Sequence, residues 1–113
     1  MRHGFIKTAA GTPKIQVADC VYNAGEILKL IRQMETEGAK IMAFPELCIT
    51  GYTCQDLFWQ TLLLDSAKEQ LVWLAGETSQ VDALIIVGLP WEYNGKLYNV
   101  AAVLNQRKIL GLV

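Results

Sequence analysis

A layered α/β fold is predicted by this sequence, on three observations. Ile41-Met42-Ala43-Phe44 and Ala83 to Leu89 are short apolar runs, each closed by a proline, as expected of strands buried on both faces. Two longer stretches carry apolar residues at three- and four-residue spacing, as expected of helices that cover such a sheet. After the second apolar run, Asn94-Gly95 stands between alternating aromatic and polar residues, the strongest short-range signal of a β-hairpin.

Taken in order, Phe5 to Ala10 alternates well enough for a first strand, and Ile15 to Asp19 can extend it after the break at Gly11-Thr12-Pro13. That break lacks the Gly-Lys-Ser/Thr ending of a phosphate loop. Asn23-x-x-Glu26 reads as a capping box opening a helix whose buried stripe is Ala24, Ile27, Leu28 and Ile31. Gly38 is placed as the C′ residue of that helix, where a positive φ is needed. A helix offering this stripe to a partner protein is the other reading, although covering a sheet explains the same spacing.

Ile41 to Phe44 then forms a strand that Pro45 stops, because proline cannot donate to a ladder and holds its predecessor extended. Glu46 is thereby expected at the strand's carboxyl end, where open α/β sheets hold their ligands. Leu47, Cys48 and Ile49 are expected to surround the carboxylate with apolar atoms, which would raise its pKa toward the range of a general base. The residues alone equally allow Glu46 to cap a helical turn or to pair with a lysine. Tyr52, Phe58 and Trp59 follow and read either as core or as the wall of a substrate pocket.

Gln55 to Gln60 reads as an irregular or short helical turn, and Leu62 to about Gln80 as a second helix. Ser66-x-x-Glu69 is a capping signal there, Leu64, Ala67, Leu71, Leu74 and Ala75 form the stripe, and Gly76 weakens the last turn. Asp82 to Pro90 is the second buried strand, closed again by proline. The hairpin Trp91 to Tyr98 leads into a return strand over Leu97 to Leu104. A polar turn, Asn105-Gln106-Arg107-Lys108, precedes a last strand over Ile109 to Val113. Arg107 and Lys108 read as a solvated turn tip with no further role.

Bulk composition narrows the function classes. Hydrophobic residues make up 52% of the 113 positions and charged residues 19%, which excludes a disordered chain and suits one domain with a real core. Ten basic against eleven acidic residues leave a net charge of −1, so no whole-chain field favours nucleic acid or anionic lipid. The amino terminus lacks the pattern of a signal peptide, and the longest apolar run is far too short to span a bilayer, so the expected location is cytoplasmic. Cys20, Cys48 and Cys54 fit no disulfide framework or zinc spacing and read as buried thiols of a reducing compartment. Any of them can also be read as a nucleophile, but the only histidine is His3 and no Cys-His pair is evident.

Phe44-Pro45-Glu46-Leu47 followed by Thr50-Gly51-Tyr52 resembles the segment of the nitrilase superfamily, the carbon–nitrogen hydrolases, that carries the catalytic glutamate. Asp19 with Asn23 is similar to the pair that opens the family's first helix. Gly88-Leu89-Pro90 leading to Tyr98-Asn99-Val100-Ala101 is similar to its strand and hairpin, so the resemblance spans essentially the whole chain. Cys54-Gln55-Asp56-Leu57-Phe58 resembles more narrowly the amidase domain of the glutamine-dependent NAD synthetases.

The resemblance implies about half of an αββα sandwich: a mixed sheet of five or six strands with two helices on one face. It implies a Glu, Lys and Cys triad in which Glu46 is the catalytic base, and it puts Tyr52 nearest the substrate. The family's lysine and cysteine would follow Val113, so residues 1–113 are expected to be the amino-terminal part of a longer domain, inactive alone. The parent is expected to take glutamine and release ammonia to a second domain that uses ATP and Mg; no cofactor is expected in residues 1–113. An exposed sheet face and open edge imply a homo-oligomer. A free-standing amidase or nitrilase, or a non-catalytic assembly module of this fold, are the alternatives.

Overall fold

A computed structural model describes residues 6–51 and 61–113. The elements are β1 (Thr8–Ala10), α1 (Cys20–Thr36), β2 (Ile41–Ala43), α2 (Thr61–Glu77), β3 (Leu84–Tyr93), β4 (Lys96–Asn105) and β5 (Lys108–Leu112). They build one five-stranded sheet in the spatial order β1-β2-β3-β4-β5. β1, β2 and β3 are parallel, whereas β3, β4 and β5 are antiparallel, so the sheet is mixed as expected. Spatial order follows sequence order. Two successive crossovers of one hand therefore lay α1 and α2 side by side on the same face.

One core lies between that face and the helices. β3 turns Ile85, Val87 and Leu89 inward, joined by Met42 of β2 and by Ala102 and Leu104 of β4, all buried. α1 contributes Ala24, Ile27, Ile31 and Met34, and α2 contributes Leu64, Ala67, Leu71, Leu74 and Ala75. Both stripes are those expected from spacing, with Leu28 only partly buried at the margin. Fully burying one such side chain stabilises by about 1.5–3 kcal/mol, so this apolar face is what holds the helices to the sheet.

Several boundaries depart from expectation. Ile15 to Asp19 is not a strand: Ala18 sits at φ 60, and the Asp19 amide donates to the Gln16 carbonyl at 3.2 Å, closing a turn. Asp19 rather than Asn23 caps α1, its carboxylate accepting from the Tyr22 amide at 3.0 Å. The helix thus starts before the expected capping box, and Asn23 points inward from its first turn. At the other end Gly38, at φ 82, is the C′ residue. Its amide donates to Glu35 and that of Ala39 to Met34, each at 3.0 Å, which is a Schellman closure. Ser66 caps nothing, since α2 is continuous through it.

Pro45 ends β2 as expected, but Pro90 does not end β3, which runs to Tyr93. β2 accompanies β3 only as far as Ile86, so beyond that residue β3 has a ladder on one side alone and a missing amide is tolerated. Asn94 and Gly95, at φ 51 and 76, close the expected two-residue hairpin between β3 and β4. The next turn uses Gln106 and Arg107 at φ 45 and 79, and Leu110 is an extra residue in the β4–β5 ladder. Arg107 and Lys108 are exposed.

Candidate functional site

The carboxyl end of β2 is where the chain is most tightly specified. Phe44 continues the ladder through its amide to Ile86 at 2.9 Å, and the Gly11 amide donates to Ala43 at 3.0 Å. Pro45 has no amide to continue it, and the chain turns over Glu46 to Thr50 with Leu47 at φ 52. The Thr50 and Gly51 amides both donate to the Leu47 carbonyl, at 3.1 and 2.6 Å, and the Ile49 amide reaches over to the Gly88 carbonyl at 3.2 Å. Leu47, Cys48 and Ile49 are buried in the core, whereas Glu46 is exposed. The expectation that these three side chains enclose the carboxylate is corrected: they turn inward from the tight turn and leave Glu46 outside.

Glu46 lines two cavities. One, of about 190 Å³, is bounded by Phe44, Pro45 and Gly88 together with Asn99, Val100 and Ala101 of β4. The other, of about 350 Å³, lies against Thr12, Pro13, Ile15 and Val17 with Cys48 at its wall. A carboxylate at the end of a parallel strand, accessible from such hollows, can accept a proton from a bound nucleophile or water. Among the described residues, neither lining contains a lysine, and the single cysteine in either is Cys48.

Cys48 is a poor nucleophile. Burial pushes its thiol up to about 11, and its Sγ lies 3.7 Å from the Gly88 carbonyl oxygen, to which it donates. At neutral pH it is therefore a thiol and not the thiolate that attacks carbonyls. Cys20 is also buried, in the core at the start of α1. Tyr52, Cys54, Phe58 and Trp59, together with the Gln55 to Gln60 turn, lie outside the described residues, so the substrate contact expected of Tyr52 has no structural description.

Two residues noted in the sequence for other reasons support the turn. Asn23 is fully buried; its Oδ1 accepts from the Gln16 amide at 2.7 Å and its Nδ2 donates to the carbonyls of Gln16 and Ile49, each at 2.8 Å. It ties the loop before α1 to the turn after Glu46, alongside the Ala18 amide donating to Thr50 at 2.8 Å. Gly88 lies directly against that turn: a Cβ there would stand 2.5 Å from the Leu47 nitrogen, 2.8 Å from the Pro45 oxygen and 2.9 Å from the Glu46 Cα. A glycine inside an apolar strand run is a readable signal of close backbone approach. Asn23 gave no such signal, because capping is the commoner use of asparagine near a helix start.

The described residues hold no cluster of three or more His, Cys, Asp or Glu able to bind a metal ion, and no helix among them is long and apolar enough to cross a membrane.

Comparison with known proteins places these features. The family model of carbon–nitrogen hydrolases matches residues 7–112. A glutamine-dependent NAD(+) synthetase of Mycobacterium tuberculosis is 33% identical over 112 residues, covering 99% of this chain and 16% of that protein. One from Aquifex aeolicus is 35% identical over 96 residues, 85% of this chain and 17% of its own length. The chain thus spans about one sixth of these relatives. The crystal structure of such a synthetase from Cytophaga hutchinsonii superposes with a TM-score of 0.88 at 28% identity, over 95% of this chain and 18% of that one. An amidase from Nesterenkonia sp. shares the fold, with a TM-score of 0.80 at 19% identity over 99% of this chain and 43% of its own. The partial αββα-type architecture, the turn that presents Glu46 and the match over residues 7–112 agree, and the chain belongs to the carbon–nitrogen hydrolase family.

Proposed function

We propose that this chain is the amino-terminal part of the glutamine-hydrolysing domain of a glutamine-dependent NAD synthetase, with Glu46 as the general base. The observation that carries this reading is the 33% identity along 99% of the chain to a protein of that name. Chemically, Glu46 takes the proton of a cysteine thiol as the sulfur adds to the glutamine amide carbon and hands it to the amide nitrogen as the C–N bond breaks, so that ammonia leaves, a thioester remains and Glu46 is again a carboxylate. Glu46 then takes a proton from water, which attacks the thioester to release glutamate and restore the thiol. By the family resemblance the thiol belongs to a cysteine beyond these residues; Cys48, buried and protonated, is not suited to the role. A lysine, likewise beyond them, stabilises the oxyanion. Tyr52 borders the amide substrate.

The ATP and Mg of the synthetase reaction do not fit the residues described: they offer no metal cluster, and Gly11-Thr12-Pro13 forms no phosphate loop. We assign both to a second domain. The ammonia formed serves that domain, in the cytoplasm. A free-standing amidase of the family is the second reading, favoured by the fold shared with the Nesterenkonia enzyme.

Ammonia release from glutamine, measured for residues 1–113 beside the full-length protein, tests the proposal. Release by the full-length protein alone is the expected result. Release by residues 1–113 would require a nucleophile among Cys20, Cys48 and Cys54 and would overturn it; hydrolysis of other amides but not glutamine would favour the amidase.

A further inference from the structure

We infer that Gly88 is a positioning residue for Glu46: the absence of a side chain at this point of β3 sets how closely the Pro45-Glu46-Leu47 backbone lies on the sheet, and hence where the carboxylate stands. The inference deepens the reading of Glu46 as the base and rests on it.

Space, not backbone conformation, requires glycine here. Gly88 is paired with Ala101 within the regular β3–β4 ladder and is not among the residues at positive φ. What is unusual is the proximity of the turn. A Cβ on residue 88 would meet three atoms of three consecutive residues at 2.5, 2.8 and 2.9 Å, all of them backbone atoms that no rotamer change can move. Even alanine would therefore drive the turn outward. The same strand residue anchors the turn from its carbonyl, which accepts the Ile49 amide at 3.2 Å and the Cys48 thiol at 3.7 Å. Gly88 thus both holds the turn and permits its close approach, and the two effects place the Glu46 Cα within a narrow range. Gly88 also lines the 190 Å³ cavity beside Glu46, so the displacement would be felt in the cavity that Glu46 shares with Asn99 and Ala101. Misplacing a catalytic group by about 1 Å can cost on the order of 100-fold in rate.

A double-mutant cycle in the full-length protein tests this, with glutamine hydrolysis as the readout. Gly88→Ala should lower kcat by about 100-fold, with KM changed by less than about threefold, while cooperative thermal unfolding is kept. On a Glu46→Gln background the same substitution should have almost no further effect, because the group it displaces is already gone. Additive losses, an unchanged kcat in Gly88→Ala, or a Gly88→Ala protein that no longer unfolds cooperatively would each overturn the inference, the last by showing that Gly88 serves packing alone. If Glu46→Gln itself retained full activity, the reading of Glu46 as base would fail instead, and the two failures are told apart by that single variant. Gly76→Ala, where a Cβ meets nothing within 4 Å, is the control for adding a methyl group to a glycine.

Discussion

Asn23 shows how one buried polar residue can organise a site without touching the chemistry. Its amide satisfies one backbone N–H and two carbonyls from two segments that the Ala18–Thr50 hydrogen bond also joins. Removing it orphans those groups, at about 1–3 kcal/mol for each that water does not reach. Asn23→Ala is expected to lower stability by about 2–4 kcal/mol in denaturant titration; a loss below about 1 kcal/mol would show that the staple is dispensable. Cys48 gives a residue-scale pH dependence. Its thiol titrates near 9 in the unfolded chain and near 11 when folded, so between those values the unfolded state has lost a proton that the folded state keeps. Its contribution is fully present below pH 9 and lost as pH rises toward 11. The stability difference between the wild type and Cys48→Ala should therefore be flat from pH 6 to 8 and shrink above about 9. A difference that stays flat to pH 11 would contradict it.

At the scale of elements, what could be read from the sequence was whatever rests on local pattern. Two helical stripes, two apolar strands and the Asn94-Gly95 hairpin all follow from spacing and turn chemistry, and the structure has them. The expected burial of both strand faces is corrected: Met42, Ile85 and Val87 face the helices and are buried, whereas Ile41, Ala43 and Ile86 on the other face are only partly buried and Leu84 is exposed. Boundaries set by tertiary context were not legible. Pro90 stays in β3 because β2 has already ended, and nothing near Pro90 reports how long β2 is. Asp19 caps α1 in place of Asn23 because Asn23 is held by Ile49, distant in sequence. The carboxylate of Glu46 was placed correctly at the end of β2, but its exposure depends on a turn with Leu47 at positive φ, which an apolar run does not reveal. The turn between β4 and β5 puts Gln106 and Arg107 at positive φ, where non-glycine residues are strained. Replacing Gln106-Arg107 by Asn-Gly should raise stability by about 1 kcal/mol in thermal or chemical unfolding. No gain would mean that the β4–β5 ladder tolerates the strained turn at no cost.

For the molecule as a whole, the sheet is covered by helices on one face only, and β5 pairs solely with β4 among the described residues. Ile109, Leu110, Leu112 and Val113 are exposed along that edge, which is the kind of surface that recruits another strand. Residues 1–113 are expected to associate in sedimentation or gel filtration, and Leu110→Lys, adding charge to the edge, should shift them toward monomer. A clean monomer in both would show that the exposed edge does not drive association. The same asymmetry bears on activity. Glu46 stands at the end of a well-packed half-layer, and among the described residues neither a lysine nor a reactive thiol lines the cavities around it. In the proposed role of base, Glu46 works only as part of a larger catalytic unit.

The most direct test of that account is Glu46→Gln in the full-length protein, assayed for synthesis driven by glutamine and by free ammonia. Glutamine-driven turnover should fall by about 100- to 10,000-fold, the usual range for a lost general base, while ammonia-driven turnover persists. Glutamine-driven turnover at the wild-type rate, or the loss of both, would contradict the role of Glu46 as the base of amide hydrolysis.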